Sequence, residues 1–120
     1  MAAEFCEALT SEQIVAPFDV FQGEPDFQGC QAADMQGVRF VCRWKFGHRS
    51  LSSRRAFDRL IFQLKRCPRL TGSTRDAAVN HPDFYDAWEF RFEGFKAAVS
   101  LKDKSALGAT FVVLRVSEFP

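Results

Sequence analysis

The sequence is short of the residues and spacings that mark most known chemistries. Its 120 positions hold two histidines and one tyrosine. There is no G-x-x-x-x-G-K, no G-x-G-x-x-G and no H-E-x-x-H, so nucleotide-phosphate loops and zinc-peptidase helices have no basis here. The sole asparagine, Asn80, precedes His81 and Pro82, which excludes a standard glycosylation acceptor. Apolar runs are short as well: Phe111-Val112-Val113-Leu114 is among the longest, against the roughly 18 residues a membrane-spanning helix needs. The first residues, Met1-Ala2-Ala3-Glu4-Phe5, lack the basic start and apolar centre of a signal peptide. A mature secreted chain lacks them too, and a lipid-anchored cysteine would begin much as Cys6 does.

Four cysteines are present, Cys6, Cys30, Cys42 and Cys67. Their wide separations fit neither a zinc site nor a redox C-x-x-C pair. An even number in a small chain suits two disulfides in an oxidising compartment, and this predicts a periplasmic or extracellular protein, with the cytoplasm as the alternative. Cys42 lies on the apolar side of an expected strand and Cys67 ends the apolar stripe of an expected helix. Sequence geometry therefore favours Cys42 with Cys67, leaving Cys6 for Cys30.

With 47% hydrophobic and 26% charged residues, the chain has the composition of one globular domain able to bury a core without metal or cofactor. The net charge of +1 conceals a strong polarity. Residues 1–38 carry seven carboxylates and no lysine or arginine, whereas residues 39–75 carry eleven basic side chains against one acid, Asp58.

The pattern of residues predicts an acidic helix and loop over 1–37, then a strand–helix–three-strand core over 38–120. Glu4 to Val15 suggests a short helix, with Pro17, Gly23, Pro25 and Gly29 breaking the pattern after it. From Val38 the alternation is strict, Phe40, Cys42, Trp44 and Phe46 on one side and Arg39, Val41, Arg43 and Lys45 on the other. Ser50, Ser52 and Ser53 offer caps for a helix whose Phe57, Leu60, Ile61 and Leu64 form one stripe and which Pro68 ends. Residues 71–82 look like a polar connection with a short helical turn near Asp76. Trp88, Phe90 and Phe92, then Phe95, Ala97, Val99 and Leu101, form two alternating strands about Gly94, and Thr110 to Val116 a last one. The expected fold is α+β, a mainly antiparallel four-stranded sheet with one long helix across it. Trp44 and Trp88 are expected on the side that receives the helix.

Two clusters invite a catalytic reading. His81-Pro82-Asp83-Phe84-Tyr85-Asp86 gathers an imidazole, carboxylates and a phenol, yet turn and cap roles explain it equally well, so His81 and Asp83 support only a weak hydrolase-like alternative. His48 beside the serines lacks an evident third group to orient it. The basic middle has more reach. Arg39, Arg43, Lys45, Arg54, Arg55 and Arg59 are the candidate partner-binding residues, and three explanations compete: cover by the acidic first 38 residues, an acidic protein partner, or phosphate groups of nucleic acid or lipid. The favoured expectation is a small binding module of inhibitor, immunity or adaptor type without catalysis. A cytosolic nucleic-acid-binding domain using residues 39–75 is the alternative.

Overall fold

The computed structural model describes residues 6–7, 9, 27–32, 37–48, 50–76, 85–104 and 107–118. It is α+β. Six strands, β1 (Phe27–Ala32), β2 (Val38–Gly47), β3 (Leu70–Asp76), β4 (Tyr85–Phe92), β5 (Phe95–Lys104) and β6 (Ala109–Glu118), form one sheet in the order β1-β2-β6-β5-β4-β3, with helix α1 (Leu51–Lys65) between β2 and β3. Every neighbouring pair is antiparallel, which makes the non-adjacent β2 and β3 parallel. α1 is therefore a crossover that carries the chain past three strands to the far edge of the sheet.

The four expected strands are present, and two more flank them. β3, Leu-Thr-Gly-Ser-Thr-Arg-Asp, has no apolar alternation because it is an edge strand with mostly exposed side chains. It pairs with β4 through backbone groups, which need no hydrophobic pattern. β1 is the opposite edge, with a register shift between Phe27 and Gly29. The four-stranded expectation is corrected to six. Of the expected amino-terminal helix, Cys6 and Glu7 are helical and Leu9 is a buried turn residue; its other residues and the loop over 10–26 lie outside the described residues. Asp76, where a helical turn is expected, ends β3, with residues 77–78 again outside them.

Period two and period 3.6 then meet in one core. β2 contributes Phe40, Cys42, Trp44 and Phe46, β5 Ala97, Val99 and Leu101, and β6 Val112, Leu114 and Val116, all buried against Phe57, Leu60, Ile61 and Leu64 of α1. Ser50 caps the helix, its side chain accepting from the Ser53 N–H at 3.2 Å while the Ser53 hydroxyl donates to the Ser50 carbonyl at 2.7 Å. Trp44 is wholly buried. Trp88 is half-buried at the margin of the core, its ring covered by the Lys65 ammonium 4.3 Å from the centroid. Gly94, at φ 87, closes the β4–β5 hairpin in a conformation that other residues adopt with strain.

The disulfides differ from the sequence expectation. Cys67 is bonded to Cys6, with Cα atoms 5.6 Å apart, and both expected pairs, Cys42 with Cys67 and Cys6 with Cys30, are thereby overturned. After Lys65 the chain leaves the helical path, so Cys67 meets the amino-terminal residues at the margin of the core instead of β2. Cys42 is also disulfide-bonded; the backbone ladder sets Cys30 directly across from it.

Candidate functional site

The alternation that buries one side of the sheet opens the other. On β2 this side carries Val41, Arg43 and Lys45, on β6 Phe111, the buried Val113 and Arg115, and on β5 Ala98, Ser100, Lys102 and Lys104. The register aligns Lys45, Phe111 and Lys102 in one row across the strands, and Arg43, Val113 and Ser100 in the next. Lys45 and Lys102 start from backbones about 10 Å apart, on either side of Phe111. Arg43, Lys45, Lys102, Lys104 and Arg115 make no ion pair or side-chain hydrogen bond with the described residues. Glu89 of β4 lies 3.7 Å from Arg91 and 3.8 Å from Lys96, and Glu89 and Glu118 line one shallow pocket together with Arg115.

The crowding is felt at Lys102. Partial burial pushes its ammonium below the ordinary value of 10.5, and the charges of Arg115, Lys104 and Arg43 add to that. A lysine so placed opposes folding while charged. Stability should therefore rise as pH climbs from the lowered value toward 10.5, because the unfolded chain binds the proton more tightly. The variant Lys102→Met is expected to melt higher than the wild type at neutral pH and low ionic strength, with the gap closing as salt screens the cluster. It should also lose the alkaline rise in stability. Calorimetry at two salt concentrations checks both.

The six candidate cations do not form one surface. Arg43 and Lys45 are on the open face, joined by three residues outside the basic middle of the chain, Lys102, Lys104 and Arg115. Arg39 is half-buried and donates to the Leu9 carbonyl at 3.4 Å, an anchoring contact. Arg54, Arg55 and Arg59 belong to α1, in the layer on the opposite side of the sheet. Arg55 is exposed there, as is Arg59, which has a contact of its own.

Arg54 enters a cleft of about 490 Å³ at the first turn of α1, lined also by Arg75, Asp86, Leu101, Asp103 and Thr110. Asp86 is buried and clamped from two sides: Arg75 donates through Nε at 3.1 Å and Nη2 at 2.8 Å, and Arg54 through Nη1 at 3.0 Å. Burial pushes the Asp86 carboxyl up, but the hydrogen bonds and charges of Arg75 and Arg54 more than reverse this and hold it below its ordinary 3.8. Its contribution is present above that value and is lost as pH falls through the lowered one. Asp86→Asn should lower the melting temperature at pH 7 and flatten the acid limb of stability below about pH 4, measured by thermal melts from pH 2 to 7. Beside it, Asp103 accepts from Thr110 at 3.2 Å and lies 2.9 Å from His48 Nδ1, so the third group that orients His48 exists.

No family model, no curated protein and no solved structure matches this chain. His81 and Asp83 lie outside the described residues. Among the described residues no group of three His, Cys, Asp or Glu side chains is placed to hold a metal ion, and no helix is long and apolar enough to cross a membrane.

Proposed function

We propose that the chain is a disulfide-stapled binding module of the periplasm or cell exterior, of inhibitor, immunity or adaptor type, that docks an acidic protein on the open face of β2, β6 and β5 and acts without catalysis. The observation that carries this reading is the set of five cations without ionic partners among the described residues, set around Val41, Phe111 and Val113. Apolar centres with charged margins are how protein interfaces are built: the centre supplies affinity, and the charges steer the encounter and reject like-charged partners. The Cys6–Cys67 disulfide supports the compartment.

One feature favours a second reading, single-stranded nucleic acid. Phe111 is half-buried between Lys45 and Lys102, an aromatic between two cations of the kind on which bases stack. Affinity capture from an extract, with and without nuclease and at two salt concentrations, separates the readings. The proposal expects a nuclease-resistant protein that Lys45→Glu with Lys102→Glu no longer captures. Retained material that is entirely nuclease-sensitive, with a logarithmic salt slope of about −0.7 per phosphate, contradicts it.

A further inference from the structure

The open face has one place where cations crowd together without an ion pair to any described residue, although Glu89 and Glu118 share a pocket with Arg115 on one side of it. Lys102 on β5, Arg115 on β6 and Arg43 on β2 stand on three successive strands. Between them lie Ser100 and the buried Val113, paired in register, both with side chains much shorter than the cations around them. Among the described residues the Ser100 hydroxyl has no hydrogen-bond partner either, and it shares its face with Lys102 two residues on. The guanidinium pair on the helix side is different, since buried Asp86 answers it.

We propose that Lys102, Arg43, Arg115 and Ser100 form an oxyanion subsite that receives a phosphorylated side chain of the protein partner. A carboxylate brings one charge and two oxygens and satisfies two donors well. A phosphate monoester brings nearly two charges and three acceptor oxygens, which matches cations approaching from three strands with a hydroxyl beneath. Placing such a group there would also relieve the repulsion around Lys102. The assignment of the source to a protein rests on the reading of this face as a docking surface; the subsite itself does not.

The test begins with inorganic phosphate, titrated into the full chain at low ionic strength with chloride as the reference and followed by the NMR signals of the lysine side chains. Saturable binding that moves the Lys102 signals and shifts its titration upward is expected. Lys102→Gln should weaken that binding about tenfold, the loss of one charge-assisted hydrogen bond, as should Arg115→Gln. Arg55→Gln, on the other layer, should leave it unchanged. A weak response spread evenly over all lysines, or one that Lys102→Gln leaves intact, overturns the subsite. A second arm compares a phosphoserine peptide, the same peptide with glutamate in its place, and a mixed-sequence single-stranded oligonucleotide. The phosphopeptide should bind about tenfold tighter than the glutamate peptide. Tighter binding of the oligonucleotide overturns the protein source while phosphate at Lys102 still stands. Capture of an acidic protein that phosphatase treatment does not weaken overturns the phosphorylated side chain as the occupant and leaves the docking face standing.

Discussion

Replacing Trp44 with alanine is expected to destabilise the protein by about 3 to 5 kcal/mol, as deletion of a large, fully enclosed aromatic does. Trp44 is 0% exposed. It lies on β2, which is paired on both sides, so neither strand can move in to fill the space it leaves. The same change at Trp88 should cost clearly less, because that ring is half-buried and partly covered by the flexible Lys65 side chain, which can follow a smaller residue inward. Denaturant unfolding of the two variants side by side gives the comparison. Equal losses would mean that α1 sits nearer β4 than the structure places it.

Removal of the Cys6–Cys67 bond is the second large effect. The bond joins residues 61 positions apart, and a loop of that length corresponds to about 4 kcal/mol of chain entropy in the unfolded state. Cys6→Ser with Cys67→Ser should therefore lower the unfolding free energy by about that amount under non-reducing conditions. Cys42 would keep its own bond, so the variant separates this staple from the other. A loss below about 1 kcal/mol would show that the amino-terminal residues are held by packing, Leu9 above all, with little help from the bond. Intact mass and peptide mapping of the unreduced chain would confirm Cys6 with Cys67 directly.

Much of this architecture is legible in the sequence, for a definite reason. β2, β4, β5 and β6 each bury one side and expose the other, so alternation marks them, and the stripe Phe57, Leu60, Ile61 and Leu64 marks α1. The two edge strands escape because pairing through backbone groups leaves no periodic trace in Leu70–Asp76. Parity also carries the two buried carboxylates. Asp86 has the phase of Trp88, Phe90 and Phe92, and Asp103 that of Val99 and Leu101, so alternation alone places both on the helix side, where they are buried. The disulfide pattern is not legible, since it depends on where the chain goes after α1. Nor is the open basic face: Lys102, Lys104 and Arg115 lie far along the chain from Arg43 and Lys45, and only the pairing of β2 with β6 and of β6 with β5 brings them together.

That juxtaposition is the centre of the account, and charge reversal in the two layers tests it most directly. Arg43→Glu with Lys102→Glu changes the open sheet face, and Arg55→Glu with Arg59→Glu changes the exposed side of α1 by the same amount of charge. Binding of a captured acidic partner to each purified variant, measured at fixed ionic strength by surface plasmon resonance, is predicted to fall at least about a hundredfold for the sheet pair. The helix pair should change it less than about threefold. Equal losses from both pairs would show that only net charge matters, and a loss confined to the helix pair would contradict the assignment of the face.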